Sequence, residues 1–209
     1  AEAELGATFM GSHLRSPSDI TGMPYFPTGT KSLLHQCLTK DVWEKCKDRK
    51  DRFGFTFQQA IFSGAKWTTS GVGCYSGSHE CYYDMAPFFD KIIESYHGHK
   101  PSDKHISSMD HTKLRCPDFP ADEDAMINST RIRVARNLAD YPLGTNITRE
   151  QRLEVEAKVV KALSTFTGEL KGKYYSLATM SDADRKQLIA DHFLFKGGDK
   201  YLESAGLER

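Results

Sequence analysis

Residues 97–120 interrupt every regular pattern on either side of them. The stretch holds His97, His99, His105 and His111 together with Pro101, Pro117 and Pro120, and its few apolar residues recur at neither a helical nor a strand period. Proline fixes φ and removes a backbone donor, so neither a helix nor a central strand runs through such a segment. A chain of this kind folds as two pieces, with the expected linker at 101–120. The histidines have no acidic or cysteine partner at ligand spacing, so they are read as solvated and not as a metal site.

Upstream the spacing is helical. Residues 1–30 are rich in Gly, Pro, Ser and Thr, and are expected to form a flexible tail or loosely packed arm; Met10-Gly11-Ser12-His13 has the wording of an expression scar. Lys31 to Asp51 reads as helix, with Thr39 as an N-cap and Val42, Trp43 and Cys46 on one face. Asp51-Arg52-Phe53-Gly54 breaks it, and Phe57, Ala60 and Ile61 predict a short second helix ending near Gly64. The clearest helix follows: Asp84 as cap, Pro87 in the first turn, a stripe of Met85, Phe88, Phe89, Ile92, Ile93 and Tyr96, and Gly98 as stop. Residues 31–100 are therefore expected to form a small all-helical domain.

Downstream the period changes. Met126 to Val134 alternates with period two, as a strand does, and Lys173 to Leu177 reads as another. Thr148-Arg149-Glu150-Gln151 is a capping box opening a helix with Leu153, Ala157, Val160 and Leu163 on one face, and Ser181 with Asp184 begins a last helix through Ile189. The expected class is α+β: a helical domain, then over 121–209 the start of an antiparallel sheet flanked by helices.

Charge and cysteine content narrow the function. Lys+Arg and Asp+Glu are 28 each, so no basic footprint for nucleic acid or anionic lipid exists and any anion site is local. No apolar run is long enough to span a bilayer. Cys37, Cys46, Cys74, Cys81 and Cys116 are odd in number and include no C-x-x-C pair, which fits free thiols in a reducing, cytoplasmic setting. The sequons at Asn128 and Asn146 are expected to be unused.

Two stretches could carry chemistry. On a strand, Arg131 and Arg133 share a face with Ser129, their Cα atoms about 6.5–7 Å apart, a spacing suited to successive phosphates of one nucleotide. A solvated strand face with two cations accounts for the same residues at least as simply. Ser70-Gly71-Val72-Gly73 is neither a Walker loop nor a dinucleotide fingerprint. Its glycines allow amides to converge on a small carboxylate, but a plain turn between helices is the better local reading.

Taken together, Ser70-Gly71-Val72-Gly73 with Tyr75, Pro87-Phe88-Phe89-Asp90-Lys91-Ile92-Ile93-Glu94, Ser129-Thr130-Arg131-Ile132-Arg133, Tyr141-Pro142, Gly168-Glu169-Leu170-Lys171-Gly172 and Asp191-His192-Phe193-Leu194-Phe195 resemble the phosphagen (ATP:guanidino) kinases in order and spacing, over about Lys31 to Arg209. The resemblance implies reversible transfer of the γ-phosphoryl of MgATP to a guanidino nitrogen, with Mg2+ accompanying ATP or ADP. It places Ser129, Arg131, Arg133 and His192 at the nucleotide, His192 against adenine. It places the backbone of Ser70, Gly71, Val72 and Gly73, with the Tyr75 hydroxyl, at the guanidino substrate. Tyr75 points to the arginine kinase type and so to L-arginine, while Cys74 and Ser76-Gly77-Ser78-His79 depart from its usual wording and keep taurocyamine or another guanidino compound open. A non-catalytic nucleotide- or guanidino-binding fragment is the other alternative. The family's catalytic carboxylate, reactive cysteine and further phosphate-binding arginines are expected beyond Arg209, so the 209 residues alone are expected to be inactive. A monomer or homodimer is expected, with no nucleic acid or membrane partner.

Overall fold

The structure, a computed structural model, describes residues 14–115, 117–130, 132 and 135–194. The chain divides into two compact units, Ala1–Asn146 and Ile147–Arg209.

In the first unit, hydroxyl-bearing residues start the helices. Ser32 accepts a hydrogen bond from the His35 amide and opens α1, Leu33–Cys37. Thr39 accepts from the Val42 amide and opens α2, Lys40–Cys46. The single helical stretch expected from Lys31 to Asp51 is therefore two short helices, because two side-chain caps seven residues apart each satisfy the free amides of their own first turn. Thr56 and Gln59 exchange side-chain to backbone bonds at the start of α3, Phe57–Lys66, which runs two residues past the expected stop at Gly64.

After α3 the chain forms α4, Cys81–Asp84, and α5, Ala86–His97. Asp84 does not cap the long helix as expected; it ends α4, and Met85 occupies the cap position without a side-chain bond. Met85 is fully buried, so packing fixes this corner. Pro87 lies in the first turn of α5, and Gly98, at φ 72°, stops the helix as expected. With Met85, the buried part of the stripe is Phe88, Phe89 and Ile92; Tyr96 is exposed.

The core gathers around the Phe57 and Phe88 rings, edge to face with centroids 5.2 Å apart, with Trp43 6.1 Å from Phe57. α1, α2 and α4 pack on α5. Leu34, Ile61 and Met85 are completely enclosed, and such a side chain contributes about 1.5–3 kcal/mol. Residues 14–30, expected as a tail or loose arm, supply Leu14, Ile20 and Phe26 to this same cluster. A capping box of Ser16 and Asp19 around the turn Pro17–Asp19 gives the segment its shape; three apolar residues suffice to dock a stretch that shows no period.

Beyond Gly98 come a single turn at His111–Lys113 and α6, Ala121–Asp124. No strand occurs among the described residues; the only β-type pairing is an isolated bridge between Lys50 and Thr56. Residues 127–130 and 132 are irregular and exposed, and Ile132, expected to face a core, is 89% exposed. Residues 173–177 are likewise irregular. Period-two alternation offers a face, but a strand exists only through a ladder with a neighbour, and these stretches have none among the described residues.

In the second unit the expected capping box of Thr148 and Gln151 opens α7, Arg149–Leu163, and Ser181 caps α8, Asp182–Ala190, by accepting from the Asp184 amide. No described residue of this unit is buried. The units divide after Asn146 and not within 101–120 because residues 141–145 fold back on the first: Tyr141 is buried, the Leu143 amide donates to the Gly77 carbonyl at 2.8 Å, and the Thr145 hydroxyl to the Ser76 carbonyl at 2.6 Å.

Candidate functional site

The Ser70–Gly73 stretch is held by its carbonyls. The Leu33 and Leu34 amides, free donors at the start of α1, bond to the carbonyls of Gly71 and Val72 at 3.0 and 2.9 Å, and the Gly64 amide of α3 bonds to the Gly73 carbonyl at 3.0 Å. Tyr75 then returns its own amide to Ala60 of α3 at 2.9 Å. Between the Ser70 amide, which closes a turn on Trp67, and that of Tyr75, the four successive amides of Gly71, Val72, Gly73 and Cys74 make no hydrogen bond among the described residues. The loop thus has the carbonyls of Gly71, Val72 and Gly73 used and four amides without a partner among the described residues.

Two glycines make this geometry possible. Gly73 has φ +85°, a conformation that L side chains rarely adopt, and a Cβ there would meet Leu34 Cβ at 3.1 Å. A Cβ on Gly64 would stand 2.2 Å from the Gly73 carbonyl oxygen, so the helix and the loop touch backbone to backbone. Beside the loop, Tyr75 is 56% exposed. Cys74 packs against the core with its thiol pushed up to about 12, first by burial and then by the neighbouring Cys37. Cys37, Cys46, Cys74 and Cys81 are free thiols; Cys116 lies outside the described residues.

The stem after the loop rests on a buried carboxylate that sequence reading missed. Asp51 is 4% exposed and accepts from the amides of Phe53 and Phe55 through Oδ1, and from the Ser78 hydroxyl, at 2.6 Å, and the Cys81 thiol through Oδ2. Its sequence signal is slight, an acidic residue before Gly54 in a chain break. Above it Arg52 pairs with Glu80 at 3.1 Å.

The residues that the resemblance assigns to a nucleotide fare differently. Ser129 is exposed on the irregular stretch of the first unit. Arg131 and Arg133 lie outside the described residues. His192, in the second unit, follows α8 with φ 62°, and the Phe193 amide beside it closes back on Leu188 at 2.9 Å. An imidazole in the left-handed region costs about 1–2 kcal/mol, so local bonding holds it there against its preference. Asp191 and Phe193, its neighbours, line a groove of about 930 Å3 with Leu163, Phe166 and Leu188. No three His, Cys, Asp or Glu side chains among the described residues form a metal cluster.

Residues 28–94 match the ATP:guanido phosphotransferase N-terminal domain, and residues 154–207 match the C-terminal catalytic domain of the same family. The chain belongs to the ATP:guanido phosphotransferase family. It is 46% identical over 180 residues to an arginine kinase of Anthopleura japonica, covering 86% of this chain and 25% of that protein. Among solved structures, a lombricine kinase superposes with a TM-score of 0.77 at 25% identity, over 93% of this chain and 52% of the other. A duplicated taurocyamine kinase from Schistosoma mansoni, solved with transition-state analogue components, gives 0.64 at 32% identity over 84% of this chain and 25% of the other. The chain thus spans a quarter to a half of these phosphagen kinases, and the loop at 70–73 falls within the matched N-terminal domain. No described helix is long and apolar enough to cross a membrane.

Proposed function

We propose that the protein to which this chain belongs transfers the γ-phosphoryl of MgATP reversibly to a guanidino substrate, L-arginine in the first instance. The observation that supports this best is the row of unused amides from Gly71 to Cys74 with the exposed Tyr75 hydroxyl beside it. An amino acid carboxylate takes such amides as charge-assisted donors, and the hydroxyl can meet its amino group.

The nucleotide is assigned to Ser129, Arg131, Arg133 and His192. The groove beside His192 has the apolar lining an adenine ring favours. In this reading the stretch 126–134 is a strand of the catalytic sheet, which would bring Arg131 and Arg133 onto one face with Ser129. Mg2+ neutralises phosphate charge when bound; the described residues form no cluster for it, so it is assigned to the nucleotide's own phosphates and to no side chain here. Phosphoryl transfer asks the protein for alignment and charge stabilisation, which amides and arginines provide. A cytoplasmic location belongs to the same reading.

Taurocyamine is the second reading. It rests on the taurocyamine kinase likeness and on the wording at Cys74 and Ser76–His79, since a sulfonate can take the same amides as a carboxylate. Calorimetric titration of the 209-residue chain with L-arginine and taurocyamine separates the two, and the substrate giving heat is assigned. Turnover of MgATP with arginine by the longer protein is expected at the ordinary kinase range of about 1–100 s⁻¹, with the 209 residues alone at background. Heat from neither compound, with no turnover by the longer protein, defeats the proposal.

A further inference from the structure

The loop at 70–75 is fastened on its near side by α1 and α3, and its far stem is fastened by a segment that neither family match includes. Residues 143–145 lie between the matched ranges 28–94 and 154–207. Two successive stem carbonyls, those of Ser76 and Gly77, accept from Thr145 Oγ1 at 2.6 Å and from the Leu143 amide at 2.8 Å. A turn, closed by the Asn146 amide on the Leu143 carbonyl at 2.9 Å, keeps both donors in place.

The stem cannot yield in the other direction. A Cβ on Gly77 would overlap the Phe55 ring, so the backbone lies directly on that ring. The Ser76 hydroxyl donates to the Ser78 carbonyl and the Ser78 hydroxyl to buried Asp51. Tyr75 is therefore the one residue between two fixed points: its amide is bound to Ala60, and the next carbonyl along the chain is clipped by Thr145. Where its ring projects depends on both.

We infer that Leu143–Thr145 is a clip that sets the position of the substrate loop, with Thr145 as a positioning residue acting through the Ser76 carbonyl on Tyr75. The inference rests on the reading of 70–75 as the guanidino site, but its physical content is testable without that reading. Thr145 is exposed at the surface, so Thr145→Val removes one donor at nearly constant volume without opening the core.

The test is residue-resolved amide exchange on the 209-residue chain, with arginine titration alongside. In Thr145→Val the Tyr75 amide is expected to exchange about 3- to 10-fold faster, the range a single hydrogen bond commands, and arginine affinity to fall by a similar factor. The α5 amides of Phe89 and Ile92 should not change, and Thr145→Ser should restore both quantities. Tyr75 exchange that stays unchanged, or that rises only in proportion to α5, overturns the clip. Absence of arginine heat in the unaltered chain counts against the guanidino reading alone, and the Tyr75 exchange rate still decides the clip.

Discussion

Gly64 carries the tightest contact at the site: its Cα faces the Gly73 backbone across a gap that a methyl group would close, 2.2 Å from a carbonyl oxygen. Backbone cannot move aside as a side-chain tip can, so Gly64→Ala must part α3 from the loop and break the 3.0 Å bond between them. The expected cost is about 1–3 kcal/mol, read as a lower urea midpoint at unchanged slope. A midpoint equal to that of the unaltered chain contradicts the close approach. Cys74 gives a second test. Its thiol is held neutral to about pH 12 by burial in the folded chain, against an ordinary value of 9.0. Above pH 9 the unfolded chain releases this proton while the folded chain keeps it, so unfolding becomes easier as pH rises from 9 toward 12. Other groups titrate there too, so the informative quantity is a difference: the stability lost between pH 8 and pH 10.5 should be smaller in Cys74→Ala than in the unaltered chain. The Ser70–Gly73 loop could be picked out in the sequence because glycine punctuation is local, and its proposed ligand and Tyr75 through the family resemblance. Asp51, Ser78 and Thr145 could not, since their partners lie 27 and 69 positions away and no spacing rule reaches that far.

At the scale of elements, the caps were the most readable feature. Thr39, the Thr148–Gln151 box and Ser181 with Asp184 all start helices where a hydroxyl precedes a periodic run, because capping is settled within four residues. Asp84 misled for the opposite reason: a good cap by composition lost its role to Met85, whose burial fixes the corner before α5. The 126–134 alternation shows the same limit, as pairing is a property of two segments and alternation of one. Thr39→Ala is expected to cost about 1 kcal/mol, with Thr39→Ser restoring most of it. The loss should appear in chemical denaturation as a shift of the first unit, since α2 packs on α5 through Val42, Trp43 and Cys46. If Thr39→Ala leaves that transition in place, the cap contributes nothing and α2 is held by packing alone.

The two units of the chain differ in what can hold them. Ala1–Asn146 encloses a cluster running from Leu14 to Ile92 with several side chains fully shielded, whereas no described residue from 147 onward is buried. Burial of apolar area is the dominant favourable term in folding, and exposed backbone bonds alone stabilise a helix little: an isolated helix as short as α7 or α8 is marginal in water. The second unit keeps capped helix starts but leaves Leu170 and Phe193 largely open to solvent and Leu163 and Phe166 partly so. Local opening should therefore be far cheaper there than in the first unit. In native-state amide exchange of the 209-residue chain, α3 and α5 are expected to exchange only through global opening, with protection that falls linearly in urea. The amides of α7 and α8 should exchange orders of magnitude faster with almost no urea dependence, since little surface is newly exposed when they open. A hydrophobic dye should bind the same region, and its signal should fall in a chain ending at Asn146 whose α5 protection is intact. Protection of α7 equal to that of α5, with one shared urea dependence, would mean the second unit is stabilised as strongly as the helical core and that its apolar groove is closed in solution.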